Sequence, residues 1–284
     1  MVARLLPRTF VSGFFVMSAE MSQNQNPTGL KKTESHRFIL LLFTLLVTIV
    51  GWEALIQISD FPAFILPGPG VVFESFIGSL ASGILIRHSL VTLSEVLFGL
   101  ALGLSAATLL GYALAKSAAL ERIISPYIVA SQAIPLVAIA PLLVIWFGPG
   151  SFSKVLICAL IVFFPVLINT IVGLRSVPED LRDLMRSLHS THWQTFQLLE
   201  MPAALPIFLG GLRIGATLAV IGAVVGEFVG ADQGLGFLIN RARGQYDTAL
   251  VFVAVFSLVL MALGLYGVVI YLEHRLLTWQ EKEK

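Results

Sequence analysis

The chain has 284 residues, 57% of them hydrophobic and only 12% charged, with a formal net charge of +1. A charged share far below the roughly 25% of soluble domains, with a mean hydropathy of +0.89, argues against a soluble enzyme and for a polytopic membrane protein. So even a balance of charge gives no footprint for nucleic acid, and the single Cys158 excludes an intrachain disulfide.

In chain order, residues 1–37 read as a polar, disordered cytoplasmic tail; Arg4, Arg8 and the short apolar run 10–17 give its start a faint signal-peptide character. Residues 38–59 form the first spanning candidate, about 33 Å long as a helix. Residues 60–273 then make a core with five further spans. It opens on a turn at Pro67, Gly68, Pro69 and Gly70, and an amphipathic segment over 71–80 lies at the outer interface. The second span, 89–115, carries Glu95 and a Gly99/Gly103 pair suited to close helix contact.

Residues 123–153 contain no charged side chain and exceed one straight crossing, and Pro126, Pro135, Pro141 and Pro149 divide them. The spacing predicts a bent third span. A broken helix is tolerated at membrane depth where protein or a cavity covers the freed backbone, so Ser131, Pro135, Pro141 and Trp146 are candidates for a translocation path. The alternative is a proline-kinked structural helix. A fourth span over 155–174 follows Lys154. The fifth, 205–229, has glycines at 211, 215, 222 and 226, a face for a dimer seam or for packing within one subunit. A short helix over 235–244, a sixth span over 248–272 and a cytoplasmic tail, 274–284, complete the chain.

Four charges fall inside proposed spans, each costing ~2.5–3.5 kcal/mol at a helix centre. Glu53 lies near the exit of its helix. Glu95 and Glu227 join the candidate path, with structural anchoring as the alternative. Arg213 is expected to snorkel or to meet a carbonyl.

The one polar island of the second half is 176–202, SVPEDLRDLMRSLHSTHWQTFQLLEMP. Ser176 with Glu179 and Thr191 with Gln194 read as two capping boxes, so two short helices are expected, the second ending by Pro202. Leu181, Leu184, Met185 and Leu188 fall on one stripe, with Asp183 and Arg186 beside it and Trp193 and Phe196 one turn apart. Such an element either folds against its own neighbours or docks into the groove of a soluble partner. With both termini inside, only Arg87, Lys154, Arg241 and Arg243 of the 18 Lys and Arg fall outside and Arg213 lies within a span. The positive-inside rule then puts the island in the cytoplasm.

Asp183, Leu184, Met185, His189, Leu199, Met201 and Pro202 keep every interval of the coupling-loop pattern of ATP-binding-cassette (ABC) importer permeases: E-A-A, three residues, G, nine residues, I-x-L-P. Only the proline is identical, and His189 stands where glycine makes the corner. LPGPGVVFESF, IPLVAIAPLLVIWFGPGSFSK, FFPVLINTIVGLRSV, PAALPIFLGGLRIGATLAVIGAVVGEFVG and QGLGFLI all resemble permeases of the nitrate/sulfonate/taurine group. IAPLLVIWFG and FFPVLINT are closest to the branch serving riboflavin and thiamine-pyrimidine precursors.

The resemblance implies an all-α, type I importer-like permease of six spans in the inner membrane, both termini cytoplasmic. It implies a homodimer with two ATPase subunits and an external binding protein. The chain itself would bind no cofactor, since it lacks G-x-x-x-x-G-K-[ST]; ATP with magnesium would sit on the ATPase. On this resemblance Leu181, Leu184, Met185 and Leu188 dock the ATPase, Asp183 and Arg186 set register, Trp193 and Phe196 brace the loop, and His189 and Pro202 shape it. The expected cargo is riboflavin or a thiamine pyrimidine precursor, with sulfonate, taurine or nitrate as alternatives. Two other classes stay open. A stand-alone secondary transporter would need an interior ion relay, and a membrane enzyme would need converging Ser/His/Asp groups.

Overall fold

The computed structural model describes residues 30–59, 62 and 64–278, and every regular element among them is helical. The expected disordered stretch therefore falls largely outside the described residues. The chain divides into two units between residues 60 and 61. The first holds α1 (Leu30–Ser59), which starts eight residues before the expected span at residue 38. Near its C-terminal end Gln57 donates to Glu53 one turn away, at 3.4 Å.

In the second unit α2 (Pro69–Ala81) starts with proline in its first turn, where a missing N–H removes no helical bond. It is followed by α3 (Ile84–Lys116), α4 (Ala118–Gln132), α5 (Leu136–Phe147) and α6 (Ser151–Arg175). Next come α7 (Glu179–Ser187), α8 (His192–Thr195) and a π-helical turn (Phe196–Glu200). The chain then forms α9 (Met201–Gly230), α10 (Leu235–Gly244) and α11 (Thr248–Leu276). Five described helices are long and apolar enough to cross a membrane, and α4 with α5 makes a sixth if counted as one crossing. The six-span expectation holds.

Helix α6 is the centre of this unit, with α3 parallel to it on one side and α9 antiparallel on the other. The approach depends on missing side chains. A Cβ on Gly103 of α3 would lie 2.6 Å from the carbonyl oxygen of Ala159, and one on Gly222 of α9 would lie 2.8 Å from the Cα of Cys158. The small-residue faces are thus spent inside the subunit, not at a dimer seam. Val96, Ala107, Cys158, Val162, Val166, Ala219 and Ala223 close the core between the three helices. A second cluster of Leu209, Leu212, Ala216 and Val269 fixes α11 on α9. Arg213 pairs with Glu273 of α11 and lies over the Tyr266 ring.

The bent third span breaks at residues 133–135, where α4 and α5 meet at 96°. Pro135 is the N-cap of α5, so the sharp bend falls at one of the four prolines, while Pro126 and Pro141 are accommodated inside helices. No residue of α4 is buried, and α5 buries only Ala140 and Leu143.

Candidate functional site

The 176–202 loop leaves the end of α6 and returns into α9; that end of the bundle is called here the loop end, and the opposite one the far end. Two local expectations change. Ser176 does not cap α7: its hydroxyl donates back to the carbonyl of Gly173, and Pro178 is the N-cap with no side-chain hydrogen bond. The second box is present, with the Thr191 side chain accepting from the Gln194 N–H and the Gln194 side chain accepting from the Thr191 N–H. The helix it starts does not stop at Pro202. It passes through the π turn, where the Met201 N–H donates to Phe196, five residues back, and joins α9 in one run over His192–Gly230. A widened turn relieves the clash that a proline ring makes with the carbonyl four residues upstream.

The corner between α7 and α8 is a Schellman turn. Ser190 N–H donates to Met185 at 3.1 Å and His189 N–H to Arg186 at 2.9 Å. Its left-handed position is His189, with φ of +52°, a conformation for which glycine pays no steric penalty. On the outside of this corner Leu181 (43% exposed), Leu184 (53%), Leu188 (67%) and Trp193 (64%) stand uncovered. Met185 is half-buried and Asp183 and Arg186 pair at 2.8 Å on the surface. Trp193 stacks on Phe196, whose ring meets Tyr112 of α3 edge-on. The apolar stripe of α7 is not folded under its neighbours.

Behind the corner, ion pairs tie the loop to the bundle. Lys116, the last residue of α3, reaches Glu200 in the π turn at 2.5 Å, and Glu200 is 2% exposed. Arg175 forks onto both oxygens of Glu121 in α4 at 2.7 and 2.5 Å. Arg182 of α7 donates to the Leu174 carbonyl at 2.7 Å, covering an orphan acceptor at the end of α6. The sequence analysis missed all three. The partners of the ion pairs lie 84 and 54 residues apart, and nothing local signals such a pairing.

Of the candidate path residues, Ser131 lines a cavity between the helices. This cavity, of about 560 Å³, is bounded by α3, α4 and α6, with Tyr127, Leu156, Phe163 and Phe164 among its walls. Pro135, Pro141 and Trp146 are exposed on the bent pair. A second cavity, of about 750 Å³, lies at the loop end beneath Trp193 and Phe196, walled also by Tyr112, His192 and Phe208. Glu95 and Glu227 line neither. They sit in a buried polar cluster at the far end, each 1% exposed.

There three successive backbone N–H groups at the start of α10 each meet a side chain. Gly234 donates to His88 Nδ1 at 3.0 Å, Leu235 to the Thr92 hydroxyl at 2.8 Å, and Gly236 to Glu227 at 2.5 Å. Thr92 donates to the other oxygen of Glu227 at 2.6 Å. A carboxylate at a helix N-terminus meets both free donors and the positive end of the dipole. Lys154, expected outside, is 2% exposed and lies 3.5 Å from Glu95. Glu227 thus accepts at the N-terminus of α10. His88, Thr92 and Glu95, at i, i+4 and i+7, share one face of α3, a signal the sequence carried. Among the described residues no group of three or more His, Cys, Asp or Glu could hold a metal ion.

Comparison with known proteins agrees with this architecture. Residues 99–278 match the family "binding-protein-dependent transport system inner membrane component". The riboflavin transport system permease protein RibX of Chloroflexus aurantiacus is 48% identical over 84% of this chain and 88% of its own. The formylaminopyrimidine transport permease protein ThiX of Halalkalibacterium halodurans is 37% identical over 85% of this chain and 96% of its own. A chain of the MetNI methionine ABC transporter in an inward-facing conformation shares the fold, with TM-score 0.60 and 17% identity over 69% of this chain and 97% of that one. With a bent third span, a protruding loop at one end and a matched segment covering most of its length, this chain belongs to the binding-protein-dependent inner-membrane permeases and is a multi-pass permease subunit of an ABC importer.

Proposed function

We propose that this permease imports riboflavin, as a homodimer driven by two ATPase subunits that bind and hydrolyse ATP with magnesium and fed by an external binding protein. The loop end faces the cytoplasm, as do both termini, and Leu181, Leu184, Met185 and Leu188 enter a groove on the ATPase while Asp183 and Arg186 fix the register. One observation carries the ATPase-docking reading: an apolar stripe held outward on a rigid corner, with three leucines exposed. A helix presenting i, i+3 and i+7 apolar anchors suits a groove.

The ATPase must favour one cavity orientation over the other, because a partner that binds both equally shifts nothing. The loop carries that preference into α6 and α9, between which it is continuous. The cavity lined by Ser131 is the part of the path within one subunit, and its apolar, aromatic wall suits a planar ring system. Riboflavin follows from the 48% identity to RibX; the pyrimidine precursor is the second reading, favoured by the ThiX relative.

The test is uptake into liposomes holding the permease, the ATPase and the binding protein. Riboflavin uptake that requires ATP supports the reading. A thermal-shift screen of the binding protein against riboflavin, a formylaminopyrimidine, taurine and nitrate decides the cargo, since bound ligand stabilises by mass action. Stabilisation by taurine or nitrate alone overturns the flavin assignment, and uptake without the ATPase favours a secondary transporter.

A further inference from the structure

We propose that the corner between α3 and α4 is where the motion of the loop is delivered, through two ion-pair struts, Lys116–Glu200 and Arg175–Glu121, that swing the loosely packed pair α4–α5. The inference rests on the reading of the loop as the ATPase-driven lever and adds where its motion goes.

The corner has an unusual set of attachments. Lys116 ends α3 and Glu121 lies in the first turn of α4, with Ser117 between them capping α4 by accepting from the Leu120 N–H at 3.2 Å. Both charged residues are held from the loop side. Lys116 is tied to Glu200, inside the π turn, and Glu121 is tied to Arg175, the last residue of α6, from which the loop departs. The two ends of the loop thus meet one short corner from either side. Arg175 also reaches the Leu114 carbonyl at 3.4 Å, so the grip includes the last turn of α3.

What lies beyond the corner can move. Helix α4 has no buried residue, and Leu120, Ile124 and Ile128 pack it against the core. It ends at the 96° elbow, and its Tyr127, Ile128 and Ser131 form one wall of the 560 Å³ cavity, opposite α6. Displacing the N-terminus of α4 at Glu121 therefore moves one wall of the cavity. A forked Arg–carboxylate pair fixes direction as well as distance, which a strut requires. The Glu200 carboxylate is buried, so Lys116 cannot leave it without stranding an uncompensated charge in the interior. The half-exposed Arg175–Glu121 pair adds little to stability; its arrangement serves transmission.

The experiment uses the full complex of permease, ATPase and binding protein in liposomes, reading riboflavin taken up per ATP hydrolysed. The wild-type complex is measured first, and absence of ATP-dependent uptake there defeats the lever reading itself, separately from the struts. Glu121→Arg and Arg175→Glu are expected to keep assembly and basal hydrolysis while uptake per ATP falls roughly tenfold, within the usual range of coupling between sites. The charge-swapped double variant should recover most of the loss, as should the swap of Lys116 with Glu200. Glu121→Gln, which keeps shape and removes charge, serves where a reversal fails to fold and should lose several-fold. Unchanged uptake per ATP in Glu121→Gln, or double variants no better than the poorer single, overturns the proposal.

Discussion

The two ends of this bundle handle charge in opposite ways. At the far end Glu227 is 1% exposed and shares its oxygens with a hydroxyl and a backbone N–H, and its neighbours receive two more N–H groups of α10. At the loop end Arg175 and Glu121 have side chains 41% and 29% exposed, and Asp183 and Arg186 lie open to solvent. A buried carboxylate satisfied by fixed donors defines one position for α10. Half-exposed pairs hold a geometry yet exchange with water at low cost. The loop end also holds one buried carboxylate, Glu200, paired with Lys116.

That contrast can be broken most readily at Glu227. Glu227→Ala leaves the buried Gly236 N–H without its acceptor and removes the stronger of the two acceptors of the Thr92 hydroxyl, and roughly 3–5 kcal/mol should be lost, as when one partner of a buried charged group is removed. Thermal unfolding in detergent reads this directly, and an unaltered midpoint would mean that α10 needs no anchor. Thr92→Val should cost about 1–3 kcal/mol, since the Leu235 N–H then lacks its only acceptor; protection of Leu235 from hydrogen exchange should fall, and unchanged protection would contradict the role.

On the loop side the sign of the comparison reverses, with small stability effects and large functional ones. Asp183→Lys should shift stability by less than about 1 kcal/mol, yet weaken ATPase association roughly tenfold by reversing the charge beside the docking stripe. Co-purification of the two subunits measures it, and undiminished recovery would remove Asp183 from the interface. The smallest effect is expected at the corner. His189→Gly should stabilise by about 1 kcal/mol through relief of a left-handed conformation, seen as a slightly higher midpoint; a lower one would show that the His189 side chain supports the turn.

Much of this was legible in the sequence because single helices announce themselves. Proline spacing marked the broken third span, and the Thr191/Gln194 box marked the start of α8. The α7 stripe was right in its residues although Ser176 turned out to bond backwards, because a capping box and a helix-ending hydroxyl look alike in one dimension. Pro202 misled for a related reason. Proline ends a regular α-helix, but a π turn lets the chain through, and no local pattern distinguishes the two outcomes. Contacts across the bundle were the real blind spot. Arg213 with Glu273, Lys116 with Glu200 and the whole α10 anchor depend on which helices adjoin, which periodicity does not encode. The glycine faces were visible, but only the packing showed that α6 occupies both of them.

The account stands on a permease worked by an ATPase through residues 176–202. Its most direct test is riboflavin uptake by liposomes carrying the permease and binding protein, with and without the ATPase and with the loop stripe altered by Leu184→Glu. Uptake should require the ATPase and ATP together and should vanish in the Leu184→Glu variant while the permease stays folded. Equal uptake without the ATPase, or full ATP-driven uptake by the variant, would contradict it.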